Sequence, residues 1–126
     1  MQSRVLNRYR ELFWDAFHVP NLSSQKFTDK WKELESINEV IAGPLFSVFE
    51  KGECDYIFAD KDRFDFNNEE ELFEWMVETI REYAEKIAEL PAENQEEEFD
   101  LKVLMYQCDI KMELAELSRE ILRERK

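Results

Sequence analysis

Between residues 50 and 100 the chain sets carboxylates beside aromatic rings, with nineteen acidic residues against five basic ones. The densest alternation runs from 53 to 68, where Asp55, Tyr56, Phe58, Asp60, Asp62, Phe64, Asp65 and Phe66 interleave. Carboxylates accept bidentate hydrogen bonds from arginine, and rings among them supply apolar anchors, so this pattern suits contact with a cationic surface. The flanks nearly cancel: residues 1–49 hold six acids and six bases, and residues 101–126 hold five acids and six bases. The formal charge of −13 therefore comes from the middle of the chain.

Other chemistries fit the residues less well. Asp60, Asp62 and Glu71 fall on the first, third and twelfth positions of a calcium loop, but Phe64 takes the fifth and Asp65 the sixth, where the turn demands glycine. No metal is expected on that count. The only glycines are Gly43 and Gly52, so no glycine-rich phosphate loop is present. The single His18 has no serine or cysteine nucleophile in an identifiable context, and a cation at the carbonyl end of a helix accounts for it. No catalytic residue, enzyme activity or cofactor is expected. Direct nucleic-acid binding is opposed by the charge, because phosphate contacts need lysine and arginine in excess. Cys54 and Cys108 form no CxxC pair; they leave a single disulfide open, and two buried free thiols in a reducing compartment are the favoured reading. No signal-peptide pattern opens the sequence and no apolar run reaches a membrane span, so a cytoplasmic location is expected.

These residues need a scaffold. At 126 residues the chain suits one domain, 1–126, and 44% hydrophobic residues with ten Phe, four Tyr and three Trp are enough for a packed core. Acidic disordered chains lack that apolar content. Two Gly and three Pro are too few for the turns of a many-stranded sheet protein, which leaves helices. The fold class expected is all-α: a compact bundle of about five helices with a long C-terminal helix. Helical spacing of Val5, Leu6, Tyr9, Leu12, Phe13 and Phe17 marks the first helix, closed by Pro20. Ser23 or Ser24 caps a second carrying Phe27, Trp31 and Leu34. A third begins near Ser36, and Gly43-Pro44 breaks it and starts a short fourth that ends near Gly52.

Asn68 followed by Glu71 forms a capping box, with Glu69 and Glu70 in the first turn, and opens a helix over 69–90. Its apolar stripe runs Leu72, Phe73, Met76, Ile80, Tyr83, Ile87 and Leu90, with Glu74, Glu78, Glu82, Glu85 and Glu89 opposite. The last helix, over 97–123, carries two apolar stripes, one through Leu101, Met105, Cys108, Met112 and Ala115 and one through Val103, Ile110, Leu114, Leu117 and Ile121. Two such faces place a helix at the centre of a bundle or leave one face for a second copy, and both readings stand.

Ser24, Phe27 and Trp31 on one helix, the apolar run 45–49, the loop CDYIFADKDRFDF and the helix start NNEEELFEWM together resemble the small helical immunity proteins that neutralise colicin D-type ribonuclease toxins and related contact-dependent inhibition toxins. The resemblance covers residues 23–90; the extra C-terminal helix departs from it. What it implies is a basic toxin domain, one that cleaves RNA, whose active-site cleft is covered by acidic side chains. The partner-binding residues so implied are Asp55, Asp60, Asp62 and Asp65, adjoined by Glu69, Glu70 and Glu74; the interleaving of rings and acids itself adds Tyr56 as an aromatic anchor. Two rival expectations are a helical chaperone or adaptor working as a homodimer through the last helix, and an acidic nucleic-acid mimic that inhibits a defence nuclease.

Overall fold

The computed structural model describes residues 2–52, 66 and 68–124. Four α-helices make up this part of the chain: α1 (Gln2–Phe17), α2 (Gln25–Lys51), α3 (Glu69–Ala88) and α4 (Gln95–Glu124). Contacts fix their directions. Arg8 meets Glu113 and Asp15 meets Gln107, so α1 and α4 are antiparallel. Glu70 meets Arg119 while Tyr83 packs with Cys108, so α3 is antiparallel to α4 as well. Asp100 lies at Ser24, at the start of both α2 and α4, which makes that pair parallel. The result is an up-down-up-down four-helix bundle with α4 wedged between α1 and α3.

Four helices stand where about five were expected, because α2 runs unbroken past Ser36, where a new helix was expected to begin, and on through Gly43-Pro44. Proline removes the N–H that would bond to Val40 and strains the residue before it, whose Cβ collides with the proline ring. At this site the preceding residue is glycine, which has no Cβ, so the α conformation stays open to it. Tertiary contacts then hold the second half in line. The Tyr9 hydroxyl donates to the Leu45 carbonyl (2.7 Å), and Arg10 Nε donates to the Phe49 carbonyl (2.8 Å). Pro44 itself is buried, so its ring adds to the core. The ends of α2 follow local rules: Ser24 Oγ accepts from the Phe27 N–H, and Gly52 closes the helix at φ 68°, a left-handed conformation that favours glycine.

The start of α3 follows the sequence signal. Asn68 Oδ1 accepts from the Glu71 N–H at 3.0 Å, and Leu72, Phe73, Met76, Ile80, Tyr83 and Ile87 are buried as their spacing requires. Asn94 does the same for α4, accepting from the Glu97 N–H at 2.9 Å. One core cluster gathers Tyr9, Phe13, Ile41, Leu45, Phe73, Met76 and Leu114; a second gathers Phe27, Leu34, Tyr83, Ile87, Leu104 and Cys108. Each fully buried side chain of this size is worth about 1.5–3 kcal/mol of transfer free energy. Both apolar stripes of α4 are used within the chain, since Cys108 and Ala115 from one and Ile110, Leu114 and Ile121 from the other are buried. Among the described residues no helix is long and apolar enough to cross a membrane.

Candidate partner-binding surface and the polar seam behind it

Five of the residues singled out from the sequence, Asp55, Tyr56, Asp60, Asp62 and Asp65, lie outside the described residues. The other three stand on the first turns of α3. Glu69 is half-buried and Glu74 is exposed. Glu70 is held by two arginines of α4, with Oε2 at 2.9 Å from Arg119 Nη2 and Oε1 at 3.2 Å from Arg123 Nε. The hydrogen bond from Arg119, then that from Arg123, holds its carboxyl below the ordinary carboxylate value. Glu70 thus ties α3 to α4, whereas Glu74 faces solvent.

Glu74 begins a longer feature. Glu74, Glu78, Glu82, Glu85 and Glu89 are all exposed, at helical intervals of three and four, directly opposite the buried stripe of α3. Of these, Glu78 pairs with Arg81 at 2.7 Å, while Glu74, Glu82, Glu85 and Glu89 form no ion pair among the described residues. They make one negative ridge about four turns long. The acids after it behave differently. Glu97 bonds to Lys26 at 2.7 Å and accepts from the Glu93 N–H, and the lysine, first, then that N–H draw its carboxyl downward in pKa. No three His, Cys, Asp or Glu side chains converge as metal ligands among the described residues.

Behind the ridge lies a feature that the sequence reading missed. The buried polar residues Asp100, Gln107, Lys111 and Ser118 follow one line along α4, between the two apolar stripes, on the face turned to the bundle axis. Three of them tie distant elements together. Asp100 accepts from the N–H groups of Ser23 and Ser24 and from the Ser24 hydroxyl. Gln107 Nε2 donates to the His18 carbonyl at 3.1 Å and reaches the Asp15 carbonyl at 3.4 Å, satisfying the open end of α1. The Ser118 hydroxyl donates to Tyr9 Oη, which itself donates to Leu45, so that α4, α1 and α2 share one chain of bonds.

Lys111 is the exception. Its ammonium is buried with no hydrogen-bond partner, 5.4 Å from the centre of the Phe17 ring and 5.3 Å from that of Tyr83. Burial pulls its pKa from 10.5 down to about 8, and burial pushes the neighbouring Cys108 thiol up to about 11. The Tyr83 hydroxyl is also buried without a partner, and burial raises its pKa. A signal for the seam exists in the sequence, because positions 100, 104, 107, 111, 114 and 118 repeat at alternating four and three residues. Polar types at four of those six positions hide it from a search for apolar periodicity.

The helix α2 packs less closely than the others, and an opening flanks it on each side. Between α2 and α3 a cavity of about 370 Å³ is lined by Ile37, Val40, Trp75 and Thr79, with Ser36 and Glu39 at its edge. Between α1 and α2 a smaller one of about 150 Å³ is bounded by Phe17, Trp31 and Asn38. Close to the latter, Phe13, Trp14, Phe46 and Phe49 form an aromatic cluster with ring centres 4.9 to 5.8 Å apart, and Trp14 is 58% exposed. Comparison of the chain with protein-family models, with curated proteins and with solved structures finds no match.

Proposed function

We propose that the chain is an immunity-type binding protein that neutralises a basic nuclease toxin, an RNase, by covering it with acidic side chains. The observation that carries this reading is the α3 ridge: four exposed glutamates without ion-pair partners among the described residues, on a helix whose other face is anchored in the core. Such an arrangement opposes folding through repulsion, and its return lies in association with a cation. The aspartates of the 53–65 segment, Asp55, Asp60, Asp62 and Asp65, with Tyr56, adjoin Glu69, Glu70 and Glu74 in sequence and belong to the same proposed surface. Glu70 serves it indirectly, by fixing α3 against α4. The site of action is the cytoplasm, and no cofactor takes part.

Growth protection tests the proposal. A cationic nuclease domain recovered by low-salt capture is expressed together with the chain, and cell growth is measured. The wild type restores growth, and a variant with Asp60, Asp62 and Asp65 changed to Asn and Glu74 and Glu82 changed to Gln fails to restore it while keeping its helical circular dichroism. Full protection by that variant would remove the acidic surface from the mechanism.

A homodimeric adaptor is the second reading, and one observation favours it. Phe99 and Tyr106 stand 59% and 54% exposed on the outer side of α4, two turns apart. Sedimentation separates the two: a stable dimer at micromolar concentration supports the adaptor, and a monomer supports the toxin inhibitor. The third reading, an acidic mimic that inhibits a defence nuclease, shares the physics of the first and differs in target.

A further inference from the structure

The α1/α2 opening has walls of one chemical kind. Phe17 and Trp31 give it aromatic sides, with Val19 and Ala42 beside them. Glu35 and Glu39 stand at its rim one turn apart on α2, both exposed, and neither forms an ion pair among the described residues. Like charges at that spacing repel each other unless a cation lies between them. Inside the opening, Asn38 is 9% exposed and its Oδ1 is buried with no hydrogen-bond partner. An unbonded buried acceptor is costly and marks a place where a donor is called for.

We propose that this pocket anchors a single arginine side chain of a partner protein. At about 150 Å³ it lies well below the size of roughly 300 Å³ at which small-molecule sites begin, and it suits one side chain. Every polar group of the pocket wall that lacks a partner, apart from one indole, is an acceptor, so the guest must be rich in donors. A guanidinium is planar, stacks on aromatic rings, and presents N–H groups along several edges. It can therefore give one hydrogen bond to Asn38 Oδ1 and others to Glu35 and Glu39 while lying against Phe17 and Trp31. A lysine brings the charge without the flat donor edge. The exception among the acceptors is Trp31 Nε1, a buried donor with no partner. The pocket opens on the α1/α2 side of the bundle and shares no residue with the α3 ridge, so the proposal stands or falls apart from the toxin reading.

The experiment is an NMR titration of the isotope-labelled full chain with N-acetyl-arginine-N-methylamide, following the indole N–H signals of the tryptophans. Trp31→Phe assigns the Trp31 signal. The expected result is a saturable shift of that signal with a dissociation constant in the millimolar range. Asn38→Ala should weaken binding by about tenfold or more, as loss of a hydrogen bond to a charged group does, and Glu35→Gln with Glu39→Gln should weaken it to a similar degree. Both changes remove strain or repulsion, so the fold is retained, and circular dichroism checks it. The matching citrulline amide, which has the same shape without the charge, should leave the signal in place, and the lysine amide should bind more weakly than arginine. An unmoved Trp31 signal with the arginine probe, an equal shift with citrulline, equal binding of lysine, or unaltered affinity in the variants would each overturn the proposal.

Discussion

Asp100 grips Ser24 twice: its Oδ2 accepts from the Ser24 N–H at 2.7 Å and from the Ser24 hydroxyl at 2.5 Å, while Oδ1 takes the Ser23 N–H at 2.9 Å. Ser24 is the N-cap of α2, so a carboxylate near the start of α4 fixes where α2 begins. Hydrogen bonds to a charged group contribute about 1.5–3 kcal/mol each, net of the bonds to water that they replace. Asp100→Asn should therefore cost about 1.5–3 kcal/mol in urea unfolding, and Ser24→Ala about 0.5–2 kcal/mol as a lost cap. Because the two residues share one interaction, the double variant should lose less than the sum. Additive losses would show that the contact is not formed in solution.

The same contact sets an acid dependence. Burial by itself raises the Asp100 carboxyl, but the bonds from Ser23 and Ser24 outweigh it and hold the group below its ordinary 3.8. A carboxyl lowered in the folded state contributes stability that is complete above its unfolded value and is lost as pH falls through its folded value. Stability should thus drop below pH 3.8, and Asp100→Asn should flatten that limb. Thermal melts across the acid range measure it, and parallel curves for the two proteins would contradict the assignment.

Lys111 has the opposite sign. Burial lowers it from 10.5 to about 8, which disfavours the charged native form by on the order of 3 kcal/mol at neutral pH. Below pH 8 both folded and unfolded chains carry the proton and the penalty is complete. Between pH 8 and 10.5 the unfolded chain binds more protons, so this contribution to stability rises with pH. Cys108, raised from 9.0 to about 11, works against it in the overlap, since its contribution falls as pH climbs from 9 to 11. Lys111→Met separates the two, because methionine fills the space and its sulfur suits the rings of Phe17 and Tyr83. The variant should be about 1–3 kcal/mol more stable at pH 7, with the gain fading above pH 10. Destabilisation at pH 7 would mean that the ammonium has a partner.

What the sequence made legible follows from what is local. The Asn68–Glu71 start, the glycine stop at position 52 and the buried stripe of α3 depend on neighbours within a turn or two, and each stands where local rules put it. The break expected at Gly43-Pro44 also came from a local rule, and it was overridden by Tyr9 and Arg10, which are about forty residues away and hold the carbonyls of Leu45 and Phe49. Asp100 reads in the sequence as one more acid of the 50–100 block, because charge alone does not say which side of a helix faces the axis. Its partners, Ser23 and Ser24, are visible only once α2 and α4 lie parallel. Glu70, similarly, is an exposed acid by composition and an interhelical tie by geometry.

The passage through Pro44 gives a test that uses both of its residues. Alanine is favoured over glycine inside a helix by about 1 kcal/mol, yet a Cβ at position 43 would strike the Pro44 ring. Gly43→Ala should therefore destabilise the chain when Pro44 is present and stabilise it by about 1 kcal/mol when Pro44→Ala has been made. A four-member thermal cycle reads the change of sign. The same sign in both backgrounds would mean that glycine is there for another reason.

The α3 ridge predicts an exchange between stability and binding. Neighbouring glutamates three or four residues apart repel by about 0.2–0.5 kcal/mol per pair, and Glu74, Glu82, Glu85 and Glu89 have no ion pair among the described residues to relieve them. Changing these four to Gln should raise stability by about 1 kcal/mol at low salt. The gain should vanish near 1 M salt, where screening shortens to about 3 Å. Glu70→Gln belongs to another class: it breaks its bonds to Arg119 and Arg123 and should lower stability, by less than about 1 kcal/mol for an exposed network. Calorimetry at two salt concentrations distinguishes the cases. If the ridge exists to meet a cation, the four-fold variant gains stability and loses partner affinity together. A variant that lost stability at low salt would show instead that these glutamates support the fold.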